Sequence, residues 1–234
     1  MIWRSPIFFS FLGAALAASV SGDVEITNSR EAAVRKHKDY SGVVLWLEPA
    51  GRTAAPVIPK HVQMIQRDKR FTPHVLAVPT GSTVDFPNFD PIFHNAFSNY
   101  SGMPFDVGLY PPGKNRAVLF KTGGIVRVFC NIHPTMSAII AVLSTPWYVV
   151  TQPSGKFTID GVPAGDYQLR LFHERAVPEN LQALERRINV PETGLALPLI
   201  SISETGFLPG PHLNKYGKEY PPVVEGETYP GAPK

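Results

Sequence analysis

The sequence predicts an all-β protein made of two sandwiches, and three observations carry that expectation. The 24 prolines among 234 residues fall in loops and near the C-terminus. Long runs with helical periodicity are scarce. Short apolar segments instead follow one another, separated by Gly, Pro and Asn turn signals, as in sandwiches and barrels. The apolar content of 44% permits a packed core. The length suits one large domain or two small ones.

Taken in order, residues 1–21 read as a secretory signal peptide. Arg4 supplies a positive start, Ile7 to Ala18 is apolar and uncharged, and Ala15-Leu16-Ala17 and Ser19-Val20-Ser21 are both small-x-small cleavage candidates. The stretch falls short of the ~20 residues a spanning helix needs. No cysteine follows it and no Arg-Arg pair precedes it, which argues against a lipoprotein or twin-arginine export. The mature chain is expected to be periplasmic, soluble and without a membrane span. Loss of Arg4 takes the formal charge from +3 to 3 − 1 = +2. The basic residues are scattered, which excludes a nucleic-acid footprint.

Val24 to Thr27 and Ser41 to Leu47 are expected strands, the second a continuous apolar run of sandwich-interior type. Asn28 to Tyr40 reads as loop or short helix, and Glu48 to Pro59 as a crossing loop. From Val62, six strands are expected: Val62 to Gln66, Val75 to Val78, Ser82 to Phe86, Ala117 to Phe120, Ile125 to Cys130 and Ser137 to Leu143. Beyond Thr145-Pro146 a second β pattern comprises Trp147 to Thr151, Lys156 to Ile159, Asp166 to His173, Ile188 to Val190 and Leu195 to Ile202. Glu179 to Arg187 has the pattern of a short helix. Residues 205–234 are expected to form an extended or disordered tail.

The lone cysteine, Cys130, calls for an explanation in an exported chain, where cysteines usually pair. It ends an apolar strand and opens Cys130-Asn131-Ile132-His133-Pro134-Thr135-Met136. A thiolate, an imidazole and a thioether in one short loop form a soft donor set that suits copper far better than calcium or magnesium. A blue-copper site needs a second histidine, and His94, 36 residues upstream of Cys130, is the candidate. His74, His37, His61, His173 and His212 have no companion donors at ligand spacing and read as structural or surface residues. Met64 and Met103 read as core.

On these residues, Phe71 to Thr145 resembles a cupredoxin, and the Cys130-x-x-His133-x-x-Met136 loop is most similar to that of amicyanin. The resemblance implies a Greek-key β-sandwich over residues 61–145 and one type 1 copper ion held by His94, Cys130, His133 and Met136. It also implies that Asn95 braces the cysteine loop. Ser154 to Leu169, with its Gly-x-Phe and Pro-x-Gly-x-Tyr pattern, is similar to the transthyretin-like sandwich of carboxypeptidase regulatory-like domains. The opening strands of such a domain are missing there but present near the N-terminus. Residues 22–60 and 146–204 are therefore expected to form one sandwich with the cupredoxin inserted. The competing reading is two consecutive domains, with the N-terminal strands in the cupredoxin.

The arrangement resembles bacterial proteins labelled methylamine-utilisation or plastocyanin-like. It implies a monomeric one-electron carrier whose redox partner is a protein such as a c-type cytochrome or periplasmic dehydrogenase, with His133 as electron exit inside an apolar rim of Pro91, Ile92, Phe93 and Pro134. The alternative is a periplasmic copper carrier or buffer. An oxidase or nitrite reductase is disfavoured, because Phe129 and Asn131 flank Cys130 where multicopper oxidases place histidines.

Overall fold

Alternating burial organises the first strand, β1 (Ala18–Thr27), whose Ala18, Val20, Val24 and Ile26 side chains all enter one core. This computed structural model describes residues 18–51, 55–99, 102–208, 210 and 212–220. The expected leader up to residue 17 and the end of the tail lie outside the described residues. β1 begins six residues before the strand expected from sequence. Ala18-Ser19-Val20-Ser21 alternates as a strand does, but those residues fall within the expected leader, and Ala18 to Asp23 find partners in a later strand. Gly22 is required by close approach, since a Cβ there would lie 2.9 Å from the Phe157 ring.

A short helix, α1 (Ala32–His37), fills part of the charged stretch and stops at Lys38, whose φ of 51° is left-handed. Arg35, Lys36 and His37 occupy its last turn, where positive charge complements the helix dipole. β2 (Val44–Pro49) follows. Next come β3 (His61–Gln63), β4 (Ile65–Arg67), β5 (Arg70–Thr72), β6 (Val75–Pro79) and β7 (Ser82–Asp85). The chain continues through β8 (Phe97–Ser98), β9 (Phe105–Asp106), β10 (Ala117–Phe120), β11 (Gly124–Phe129) and β12 (Ser137–Leu143). The last part holds β13 (Tyr148–Val150), β14 (Lys156–Val162), β15 (Gly165–Phe172), α2 (Pro178–Gln182), β16 (Arg186–Val190), β17 (Leu195–Ala196) and β18 (Ile200–Ser203). The fold is all-β in class.

Strand pairing divides along the chain. β1 pairs antiparallel with β14 and parallel with β17 and β18. β2 lies between β13 and β15, and β15 also pairs with β16. Among the described residues, neither β1 nor β2 pairs with any strand from β3 to β12. Those intervening strands make the sheets β10-β7-β3 and β6-β12-β11-β8-β9, plus the hairpin β4-β5. One core joins Val20, Leu45, Leu47, Phe157, Tyr167 and Ile202. A second joins Met64, Phe86, Phe120, Val126, Val128 and Ile140. Val44, Ala141 and Leu143 form a third, smaller cluster where the two parts meet.

The turn before β14 depends on Gly155, whose φ is +74° and whose hypothetical Cβ would sit 2.1 Å from the Val24 carbonyl oxygen. The helix expected over Glu179 to Arg187 is shorter, because Arg186 and Arg187 pair with Leu169 and Gln168 in the β15–β16 ladder. Tertiary pairing outweighs the local helical pattern there. The segment expected as one strand from Val62 to Gln66 is broken at Met64, which turns its fully buried side chain into the core. Within the stretch expected as an extended or disordered tail, residues 212–220 hydrogen-bond to the loop that follows β11.

Just after β18, Glu204 is buried yet ionised. Burial alone would raise its pKa, but hydrogen bonds from His173 and Ser29 and the charge of Arg175 more than offset this and hold it down at about 2. Its carboxylate accepts from His173 Nε2 at 2.9 Å and Arg175 Nε at 2.8 Å. A folded-state pKa below the ordinary glutamate value means the stabilisation is complete above about pH 4.5 and lost progressively as pH falls toward 2. The loss should be on the order of 3 kcal/mol. Urea melts between pH 5 and pH 2 should show that decline in the wild type and a flatter profile in Glu204→Gln. Parallel profiles would remove Glu204 from the acid response.

Candidate metal centre

Strand β11 ends at Phe129 and delivers Cys130 to a seven-residue loop that β12 closes at Ser137. The loop is cinched by Cys130 N–H donating to Met136 O at 3.1 Å and Met136 N–H donating to His133 O at 3.0 Å. Opposite it, His94 sits between β7 and β8, clamped by paired backbone bonds with Tyr110 at 3.1 and 2.9 Å. Cys130 and His94 are fully buried, Met136 is 1% exposed and His133 8% exposed. His94 Nδ1 lies 3.8 Å from Cys130 Sγ, and His133 Nδ1 lies 3.6 Å from it. The three donor atoms lie within 4.8 Å of one another.

Those spacings fit a shared metal ion. Metal bonds of about 2.3 Å to sulfur and 2.0 Å to nitrogen, at tetrahedral to trigonal angles, separate S and N by about 3.5 to 3.7 Å, close to the 3.6 and 3.8 Å found here. One S–H could donate to only one of the two imidazoles, yet both present Nδ1 to the same sulfur. Met136 belongs to the same buried cluster as Cys130.

A second layer of bonds fixes these side chains. Asn95 Oδ1 accepts from Asn131 N–H at 3.2 Å, while its Nδ2 donates to Asp106 Oδ1 at 2.7 Å and Gly108 O at 3.1 Å. Sequence reasoning missed Asp90. Its Oδ2 accepts from His94 Nε2 at 2.6 Å and Lys69 N–H at 2.9 Å, and its Oδ1 accepts from Asp68 N–H at 2.6 Å. With the Nε2 proton held by a carboxylate, the His94 lone pair on Nδ1 faces Cys130, the arrangement typical of metal-bound histidine. An Asn-Phe-Asp-Pro stretch reads as turn chemistry, so the signal available was only the i, i+4 spacing from Asp90 to His94.

Burial sets the protonation of the metal-free site. It raises the Cys130 thiol above its ordinary value, against backbone N–H bonds from Ile132, Asn95 and His133. Burial pushes His133 down to about 4, with His94 adding to the effect. His94 is lowered by burial too, with Asp90 opposing. The imidazoles thus offer neutral lone pairs, and metal binding would release the thiol proton.

The expected rim is partly exposed: Pro91 is exposed, while Ile92, Phe93 and Pro134 are half-buried. Phe89 and Leu109, 52% and 54% exposed, are further apolar residues on the segments around His94 that sequence reasoning left out. The other histidines lie elsewhere or bind differently. His74 pairs with Glu174 at 2.8 Å, His61 with Asp85 at 2.9 Å, and His173 with Glu204. His212 alone among them stacks beside the cysteine loop, its ring 4.2 Å from that of Phe129.

No protein-family profile and no curated protein matches the chain. Among solved structures it is similar to a purple cupredoxin from Nitrosopumilus maritimus, at 23% identity over 35% of this chain and 99% of that one, with a TM-score of 0.32. It is also similar to a reduced amicyanin variant, at 17% identity over 42% and 91% of the two chains, TM-score 0.34. A copper-containing nitrite reductase from Thermus scotoductus SA-01 aligns at 26% identity and TM-score 0.33 over 51% of this chain, which spans only 28% of that enzyme.

Proposed function

We propose that this chain is an exported type 1 copper protein that carries single electrons. The observation that carries the reading is the approach of His94 Nδ1 and His133 Nδ1 to one buried sulfur at 3.8 and 3.6 Å. Cys130, His94, His133 and Met136 are the proposed ligands. A copper ion held by them would supply a Cu(I)/Cu(II) couple. The residues do the rest. Asp90 and Asn95 hold the ligands so that little rearrangement accompanies a change of charge, and burial excludes water. His133, the most exposed of the four, is the proposed exit toward a protein redox partner across the rim of Pro91, Ile92, Phe93 and Pro134.

Four protein donors leave no open position for a substrate, which supports a carrier rather than an enzyme. The same burial supports tight retention of metal and disfavours a copper buffer. Residues 22–60 and 146–204 are proposed as one sandwich around residues 61–145. The pairing of β1 with β14 and of β2 with β13 and β15 supports this. Signal cleavage is proposed after Ala17, since cleavage after Ser21 would remove the buried Ala18 and Val20 from β1. Among the described residues no helix is long and apolar enough to cross a membrane.

The test is a visible absorption spectrum of the chain beginning at Ala18, titrated with Cu(II) beside a Cys130→Ser control. An intense blue or green band that saturates at one equivalent and disappears in the control is expected. A folded protein without that band would end the reading.

A further inference from the structure

The segment after β18 returns to the cysteine loop and contacts it and the adjoining β9 and β11. Tyr220 Oη donates to Cys130 O at 2.7 Å. Lys215 N–H donates to Asn131 Oδ1 at 2.9 Å. Lys215 Nζ reaches Asp106 Oδ2 at 2.7 Å, and the other oxygen of that carboxylate anchors Asn95. His212 stacks on Phe129 at 24° between the ring planes, and its Nδ1 lies 3.3 Å from Tyr220 Oη. Phe129, Cys130 and Asn131 are thus each held by a strap about 90 residues distant in sequence.

We propose that Tyr220 is a positioning residue of the metal centre and that residues 212–220 are a built-in strap which keeps the cysteine loop closed and dry. The inference deepens the copper reading and rests on it. Cys130 enters the loop with its carbonyl fixed by a phenol and its neighbour's side chain fixed by a backbone amide, so lifting the strap loosens the loop that buries the thiol. Hydrogen bonding and apolar cover around a cysteine ligand tune its metal. With one thiolate and three neutral donors, a copper ion held there would make a neutral site when reduced and a singly positive one when oxidised. A closed, dry strap would therefore favour the reduced state, and loosening it would lower the reduction potential.

The experiment uses the full mature chain and its Tyr220→Phe and His212→Ala variants. In metal-free protein under native conditions, the rate of Cys130 labelling by a thiol reagent is measured. Losing one hydrogen bond worth roughly 1 kcal/mol should raise the Tyr220→Phe rate about fivefold to tenfold, with a comparable rise in His212→Ala. In copper-loaded protein, the potential of Tyr220→Phe should fall below the wild-type value. An unchanged labelling rate in both variants, or an unchanged potential, overturns the proposal. A wild type without a copper–thiolate band would sink the copper reading instead, while labelling of the metal-free chain still decides whether the strap holds the loop.

Discussion

Asp90→Ala is expected to cost the fold about 2–4 kcal/mol and to weaken metal binding about 10-fold to 100-fold. The carboxylate, 6% exposed, accepts three hydrogen bonds no longer than 2.9 Å. Two come from Asp68 and Lys69, whose φ values of 54° put both in the left-handed region, a conformation that costs non-glycine residues energy. Asp90 thereby stabilises the tight β4–β5 turn and fixes the His94 ring in one act. Alanine would leave the buried His94 ring N–H without its partner, costing about 1–3 kcal/mol, and would hand the turn amides of the exposed Asp68 and Lys69 to water. Asp90→Asn should fall between, because one amide oxygen can serve the turn or the ring but its NH2 cannot accept. Urea denaturation and competitive copper titration read the two effects separately. A wild-type urea midpoint in Asp90→Ala would show that the turn and His94 stand without the carboxylate.

The residues of the candidate site were legible where chemistry is local. Cys130, His133 and Met136 lie in seven consecutive positions, and an unpaired cysteine in a chain read as exported asks for a reason. His94 was reached as the second histidine that the donor set asks for and Asn95 through family resemblance, and the structure brings His94 to within 4 Å of the sulfur and Asn95 to the Asn131 amide. What stayed hidden acts through space. Asp90 looks like any turn aspartate until Asp68 and Lys69 are folded above it. β8 and β9 have two residues each, too few to show a period. The strap lies in a Pro- and Gly-rich tail whose composition argues for disorder, and only Tyr220 and Lys215 meeting their acceptors reveals otherwise. The helix expected to run to Arg187 failed for a related reason: its last residues find a ladder partner that no local pattern announces.

Leu45→Ala is expected to destabilise the protein by about 2–5 kcal/mol, and the distribution of that loss tests how the chain is partitioned. β2 reads as an unbroken apolar run because both of its faces are covered. Val43, Leu45 and Leu47 enter the core shared with β1, β14 and β15, whereas Val44 meets Ala141 and Leu143 of β12. Leu45 is fully buried and sits in register with Val149 on one side and Leu171 on the other. Truncating it opens a cavity between segments that are more than 100 residues apart in sequence. If residues 22–60 and 146–204 are one sandwich, amide exchange should accelerate in β1, β14 and β15, while β11 and the Val84–Phe86 region keep their protection. Val44→Ala should instead loosen the junction with β12 and cost less, since the smaller side chain leaves a smaller void. Equal acceleration in β11 and β15 after Leu45→Ala would mean that the strands unfold as one cooperative unit. The part that holds Cys130 and His94 would then owe its stability to a neighbour from which its hydrogen-bonded sheets are separate.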